Sequence, residues 1–309
     1  MNAAAPGIGI AIPQFHTDPH VTLDELQAFL SVADTLDIHS LWVQEQIVGA
    51  HGGLEPVTLL SYAAALTRRP RLGVAVILTA LRSPVQLAKA LASLDQLCAG
   101  RLIVGVGLGD DTGHYPAFGL TAGRRVRRFT EGLEVMTRLW TSERVTFAGR
   151  FWTLHDVSVT PRPVQDPHPP LWFGARHPDA LRRSARLGQG FVGAGSSSTG
   201  EFREQVTLLR RLLLDERRDP EAFAIAKRLY VLMDPNRERG RARLRTWFAA
   251  HYGDGSLADR VALVGSSAAC VEAVHEIQAA GARLVILNFV FDEKEHLEQA
   301  VKEVIPHVT

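Results

Sequence analysis

The chain has few of the residues that build a disulfide scaffold or a membrane span. Only two cysteines occur in its 309 residues, Cys98 and Cys270, and they form no CxxC pair, so we interpret them as small apolar core residues. The longest apolar run lies near residues 72–81 and stays well below the roughly 18 residues that a transmembrane helix needs. Residues 1–13 lack the basic stretch of a signal peptide. We therefore expect a globular cytoplasmic protein with no membrane partner.

Charge of one sign is also missing. The 34 basic and 33 acidic residues give a formal net charge of +1, and lysine is scarce, with only Lys89, Lys227, Lys294 and Lys302. A nucleic-acid partner would require a basic surface, and the chain as a whole has no such excess. The balance therefore argues against a nucleic acid or an anionic membrane surface as the partner.

Several common catalytic patterns are absent. The 12 histidines include no HxH or HExxH pair, and the spacing of His16 and His20 falls in a predicted loop, so we predict no metal site. No GxSxG segment marks a nucleophilic serine. Residues 105–109 read GxGxG and are followed by two aspartates, which does not match the dinucleotide-binding fingerprint.

A regular alternation of apolar strands and amphipathic helices is present instead. A doubly wound sheet would also alternate, but eight parallel strands without a change in composition favour a closed (β/α)8 TIM barrel. We predict one barrel domain over residues 1–309, with insertions after strand 4, at 110–123, and after strand 7, at 236–255. Thr22 and Glu25 predict a capping box at the first helix. The predicted strands are 7–13, 40–43, 71–81, 101–108, 171–173, 191–194, 227–233 and 284–289.

In such a barrel the active site lies where the strands end. The carboxylates of Glu45, Asp110 and Asp111 directly follow strands 2 and 4, where a general acid or base could act. After strand 5, residues 174–178 combine small residues, an arginine and a helix start, which makes them a candidate anion site or an ordinary turn. The Gly- and Ser-rich residues 193–199 are a second candidate of the same kind.

At this point the residues resemble a known family. The segments 8–14, 40–45, 84–109 and 169–175 are similar in order and spacing to the luciferase-like flavin-dependent oxidoreductases. The likeness extends over essentially the whole chain, and the helix-to-strand segment 84–109 is its most specific part.

The resemblance implies a barrel that binds coenzyme F420 or FMN. Glu45 matches the acidic residue that often follows strand 2 in the F420-dependent branch, and Gln46 stands where a histidine is common. The family often has a non-prolyl cis peptide at the end of strand 3, which would fall at Ala75–Val76. The resemblance places the ring over Ala75 and Val76, its edges near Gln14, Glu45 and Gln46, and the phosphate at Gly174, Ala175 and Arg176, with Gly107 and Gly109 allowing close backbone approach.

The function implied is an F420-dependent oxidoreductase that transfers a hydride between the deazaflavin and a small organic substrate, with Glu45 or Asp110 assisting proton transfer. The first alternative is an FMN-dependent monooxygenase that uses reduced flavin and O2, and the second is a non-catalytic flavin-fold binding protein. Members of the family commonly associate, so we expect a homodimer.

Overall fold

Eight parallel strands form a closed barrel in the computed structural model, which describes residues 7–16, 22–48, 52–109 and 112–308. Each strand pairs with the strands before and after it in sequence, and the first pairs with the eighth, so the sheet has no open edge. This confirms the predicted (β/α)8 barrel. The strands are β1 Gly7–Ala11, β2 Ser40–Val43, β3 Arg71–Leu78, β4 Leu102–Gly107, β5 Leu171–Gly174, β6 Gly190–Gly193, β7 Ala224–Leu232 and β8 Leu284–Phe289.

Helices follow the strands and cover the outside of the barrel. Proline occupies the first position of three of them, where its missing N–H costs no helical hydrogen bond. No helix in the described ranges is long and apolar enough to cross a membrane. The helices are α1 Leu23–Thr35, α2 Pro56–Leu66, α3 Pro84–Leu97, α4 Arg125–Thr141, α5 Pro178–Leu187, α6 Thr199–Asp215, α7 Arg237–Tyr252, α8 Leu257–Val261, α9 Ser267–Ala279 and α10 Glu293–Glu303.

The capping box predicted at Thr22 is wrong, because the Thr22 side chain makes no capping hydrogen bond to the described part of α1. A capping box forms instead at the start of α6. There the Ser198 hydroxyl accepts the Glu201 N–H at 3.2 Å, and the Glu201 carboxylate accepts the Ser198 N–H at 2.6 Å. Both sites have the required residue types, but the backbone of the N-cap residue differs, with ψ of 94° at Thr22 and 166° at Ser198.

The segment between α4 and β5 packs on the barrel and is not a linker. An antiparallel hairpin, Val145–Ala148 with Thr153–Val157, follows α4. The proline-rich segment after it is fixed by the buried carboxylate of Asp95 in α3, which accepts the N–H groups of Val164 at 2.8 Å and Gln165 at 3.1 Å. Two further pairings were not predicted: Phe15–His16 with Gly52–Gly53, and Ala262–Val264 with the end of β7.

Two tryptophans fill the lower interior of the barrel. Trp42 of β2 and Trp172 of β5 lie 5.5 Å apart between ring centroids and are almost fully buried. Glycines face them on neighbouring strands: a Cβ at Gly73 would lie 2.6 Å from the Trp42 ring, and one at Gly190 would lie 2.6 Å from Trp172. The lower interior of the barrel is therefore a packed core, in which each tryptophan ring occupies the space left by a glycine on the neighbouring strand.

This packing predicts that Gly73→Ala destabilises the protein. The added methyl group has to displace the buried Trp42 ring, and overpacking of this kind costs about 1–3 kcal/mol. Chemical denaturation of the wild type and the variant measures the difference. Gly123→Ala is the matched control, since a Cβ there meets nothing within 4 Å, and an equal loss in both variants would contradict the explanation.

Candidate functional site

A cavity of about 640 Å³ opens at the carboxyl ends of the strands. Its lining comes from the ends of β2 to β7 and from parts of α4, α5 and α7. This volume lies in the range of about 300–1,000 Å³ that is typical of small-molecule sites. The position is the one where barrel enzymes hold their substrates.

The floor of the cavity is a bulge at the end of β3. The register between β3 and β4 shifts between Val74 and Ile77, and the Ala75–Val76 peptide is cis, which confirms the sequence-based prediction. The Val76 side chain occupies space that two neighbouring glycines leave open: a Cβ at Gly107 would lie 2.4 Å from it, and one at Gly174 would lie 3.0 Å from it. The surface here is apolar and is formed by the Val76 side chain and by the backbone of Gly107 and Gly174.

Glycine is required at Gly109 for a different reason. Its φ of +69° is in the left-handed region, which residues with a side chain rarely adopt. Gly109 lines the cavity together with Gly107, Gly174, Ala175, Ala75 and Val76. The structure therefore brings these six predicted cofactor-binding residues together.

The carboxylate of Glu45 lies at the edge of the bulge and has no exposed surface. It accepts hydrogen bonds from the Leu78 N–H and from the Arg82 guanidinium, whose Nε is 3.0 Å away. Arg82 also contacts the Glu55 carboxylate at 2.9 Å. Burial raises the pKa of Glu45, against the opposing attraction of Arg82. The carboxylate thus fixes the strand ends, and its role in proton transfer stays a prediction.

Gln14 also holds other residues in position. Its amide nitrogen donates to the carbonyl oxygens of Gln44 at 2.7 Å and Leu54 at 2.6 Å, and its oxygen accepts the Gln44 N–H at 2.7 Å. Gln44 in turn lines the cavity and donates to the Asn288 side chain at 2.7 Å. Gln14 and Gln46 are not among the described residues that line the cavity. Asp110 and Asp111 lie outside the described residues.

One side of the cavity is rich in arginine, and its one described carboxylate, that of Asp179, accepts a hydrogen bond from Arg182 at 3.1 Å. Arg125 from the start of α4 and Arg176 and Arg183 near α5 all line it. Arg176 donates to the Ser196 hydroxyl at 3.3 Å. The Nε of Arg125 is buried and has no hydrogen-bond partner among the residues described. An anionic group entering here would find several donors, as expected for residues 174–178.

The two predicted anion-binding turns differ in what occupies their helix starts. At α5, the His177 ring accepts the Asp179 N–H at 3.2 Å and caps the helix. At α6, the Glu201 carboxylate already accepts the Ser198 N–H, so the helix start itself is filled. Ala194 and Ser196, before that helix, do line the cavity.

The sequence analysis missed Arg228 and Tyr252. Arg228 lies inside β7, and Tyr252 is the last residue of α7; both line the cavity, and the Arg228 Nη2 is 3.3 Å from the Tyr252 hydroxyl. A search confined to residues after each strand could not find Arg228. Its signal in the sequence is the pair Lys227–Arg228 inside an otherwise apolar strand.

Comparisons with known proteins agree with this geometry. A profile of the family described as luciferase-like monooxygenase matches residues 8–284. An F420-dependent glucose-6-phosphate dehydrogenase of Beutenbergia cavernae is 32% identical over 238 residues, which are 73% of this chain and 69% of that protein.

Solved structures share the fold along the whole length. A monooxygenase, RslO1, from Streptomyces bottropensis has a TM-score of 0.85 at 25% identity, with 98% of this chain and 100% of the other covered. An F420-dependent secondary alcohol dehydrogenase bound to an F420–acetone adduct has a TM-score of 0.86 at 18% identity, with 99% and 100% covered. The second likeness concerns the fold alone.

The enclosure of Glu45 predicts that Arg82→Met is strongly destabilising at neutral pH. Removing one partner of a buried ion pair leaves the other charge uncompensated, which costs about 3–5 kcal/mol. The deficit should shrink as the pH falls, because loss of Arg82 removes an attraction that lowers the pKa of Glu45, so the folded variant takes up the proton at a higher pH than the folded wild type and the uncompensated charge disappears. Urea unfolding at several pH values measures both effects.

Arg144→Ala is the control for this experiment. It breaks the ion pair with Asp156, in which both side chains are exposed, and should leave the unfolding midpoint unchanged. A small loss for Arg82→Met, similar to that of the control, would show that the Glu45 carboxylate does not need its partner.

Proposed function

The chain belongs to the luciferase-like monooxygenase family, and from this premise we propose that it is an F420-dependent oxidoreductase acting on a small organic substrate. Its relatives are named dehydrogenases, a ketoreductase and monooxygenases, and the chain is accordingly an enzyme of the oxidoreductase class. The alternative of a non-catalytic binding protein has no support among them.

The observation that carries the proposal is the pairing of an apolar floor with an arginine-rich side wall in one cavity. The floor at Val76 suits one face of a planar ring, and Arg125, Arg176 and Arg183 suit an anionic tail. The residues present therefore fit a phosphorylated deazaflavin or flavin. When bound, such a cofactor supplies the hydride chemistry, and the protein supplies binding, orientation and local charge.

We assign the following roles to the residues. Gly174, Ala175 and Arg176 bind the phosphate, and Ala75 and Val76 support the ring. Gly107 and Gly109 allow the ligand to approach the backbone closely. Glu45 keeps the end of β3 in place through the Leu78 N–H. Gln14 positions Gln44 at the cavity edge. Gln46 directly follows Glu45 in the sequence, and we place it near the edge of the ring. Transfer of a proton by Glu45 or Asp110 is a further part of the proposal.

The second candidate function is an FMN-dependent monooxygenase. The structural likeness to a monooxygenase at 25% identity favours it. Both cofactors carry a planar ring and a phosphate, so the same floor and the same arginines would bind either one. The named F420-dependent relatives are the reason for preferring the deazaflavin.

We also propose that residues 1–309 form one barrel domain and that the enzyme acts as a homodimer in the cytoplasm. Leu66 and Leu97 support association, because both are exposed leucines near the ends of the neighbouring helices α2 and α3. Both cysteines are buried and unpaired, which agrees with a reducing compartment. Sedimentation equilibrium would test the association.

The first test is a cofactor titration followed by fluorescence. We expect F420 to bind in the low-micromolar range, equivalent to about −8 kcal/mol, and FMN to bind at least about tenfold more weakly. Tight FMN binding without F420 binding would establish the second candidate. Binding of neither would contradict both.

The second test is Arg176→Ala. Loss of a charged hydrogen bond to the phosphate should weaken cofactor binding by about 1–3 kcal/mol. Arg186→Ala is the control, because Arg186 is an exposed arginine of α5, the helix that follows Arg176, and it does not line the cavity. Unchanged affinity in Arg176→Ala would show that the phosphate is bound elsewhere.

A further inference from the structure

Arg228 is a buried cation, and no carboxylate of the described residues pairs with it. The residue is 9% exposed and lies in the middle of β7, facing the cavity. Its contacts are the Tyr252 hydroxyl, 3.3 Å from Nη2, and the Tyr230 ring, whose centroid is 5.0 Å from Cζ. Nε and Nη1 are buried and have no hydrogen-bond partner in the described part of the chain.

The surroundings add positive charge. The neighbouring Lys227 is also buried, and its ammonium donates to the carbonyl oxygens of Ala194 at 2.7 Å and of Arg228 at 2.8 Å. Burial, followed by the nearby charge of Arg228, lowers the pKa of Lys227 to about 7. The Glu201 carboxylate opposes this lowering of the Lys227 pKa, but it is engaged in the α6 capping box.

This arrangement is unfavourable unless something else completes it. A buried donor without a partner is costly, and a guanidinium cannot lose its proton to escape the cost. A lysine in the same place could become neutral, whereas an arginine keeps its charge. A ligand with two oxygen acceptors would satisfy the guanidinium with paired hydrogen bonds.

The absence of a side chain at Gly195 leaves room for the Arg228 guanidinium. A Cβ at Gly195 would lie 2.6 Å from the Arg228 Nε and 2.6 Å from the Tyr230 ring. Gly195 has a negative φ in this structure, so the close approach is the reason for glycine here. The next residue, Ser196, accepts from Arg176 at 3.3 Å, so two arginines approach adjacent residues of one loop.

We propose that Arg228, with Tyr252 and the loop at Gly195, forms a buried anion-binding site for a phosphate or carboxylate group of the molecule in the cavity. This group belongs either to the cofactor or to the substrate. The inference does not depend on which cofactor the enzyme uses.

The test uses the full-length protein with inorganic phosphate and acetate as probes, by calorimetry at constant ionic strength. We expect Arg228→Met to weaken binding of at least one probe by about tenfold or more. Arg228→Lys should bind the probe more tightly than Arg228→Met but less tightly than the wild type. Lysine keeps the positive charge but lacks the paired N–H donors of the guanidinium. Arg186→Met controls for the general loss of a positive charge. Unchanged binding in Arg228→Met, or no binding of either probe by the wild type, would overturn the proposal.

Thermal unfolding without ligand separates this role from a purely structural one. Replacing an uncompensated buried charge by an apolar side chain of similar length should leave the melting temperature unchanged or raise it. Phosphate should then raise the melting temperature of the wild type more than that of Arg228→Met. A lower melting temperature for the variant, with an equal response to phosphate, would mean that Arg228 only supports the fold.

A comparison of FMN with riboflavin identifies the source of the anion, because they differ only in the phosphate. If Arg228→Met weakens FMN binding and leaves riboflavin binding unchanged, the site takes the cofactor phosphate. If cofactor binding is unchanged but inorganic phosphate no longer binds to the loaded enzyme, the site takes a substrate group. Both results support the site. Arg228-dependent phosphate binding by a protein that binds neither F420 nor FMN would refute the proposed function and leave this site standing.

Discussion

The rest of the candidate site depends on the ion pair between the enclosed Glu45 carboxylate and Arg82. This pair holds together three segments at the mouth of the barrel. Glu45 follows the end of β2 and accepts the Leu78 N–H at the end of β3, and Arg82 contacts Glu55, which caps the start of α2. The bulge at Val76 directly precedes Leu78. The cavity floor is therefore anchored by a buried charge, whose cost is acceptable only because both the N–H and the guanidinium bind it.

The protein as a whole is nearly neutral, but arginines are concentrated at the cavity. The net charge of +1 gives no long-range attraction for a polyanion, whereas the cavity is lined by Arg125, Arg176, Arg183 and Arg228. In a partly buried cavity these charges act more strongly than on an open surface. Under the proposed function, the anionic group would therefore be bound by local contacts in the cavity and not by the overall field of the protein.

Local signals account for the parts of the fold that were predicted well. The strands Ser40–Val43 and Leu284–Phe289 were predicted with the observed bounds, because each is a short apolar run next to a clear break. The two-residue pairing of Phe15–His16 has no such signal. Thr22 has the residue types of a capping box without its hydrogen bond, which only the incoming backbone decides.

The candidate site was harder to predict because its partners are far apart in sequence. The resemblance predicted the cavity glycines and the cis peptide at Ala75–Val76, and these residues do lie together in the structure. The enclosure of Glu45 depends on Arg82, 37 residues later, and the position of Gln14 depends on Gln44, 30 residues later. Arg228 faces the cavity only because the closed barrel turns that side of β7 inward, and a single strand does not reveal this.

The close packing of Val76 against glycine links positions that are distant in the chain. A side chain at Gly107 has no room while Val76 is present, and a smaller residue at 76 would leave a hole beside Gly107 and Gly174. The effects of substitutions at 76 and 107 on stability are therefore non-additive. Either substitution alone destabilises the protein, whereas a smaller residue at 76 makes room for a side chain at 107. A different shape at this part of the cavity floor therefore requires coordinated changes at positions that are 31 residues apart in the chain.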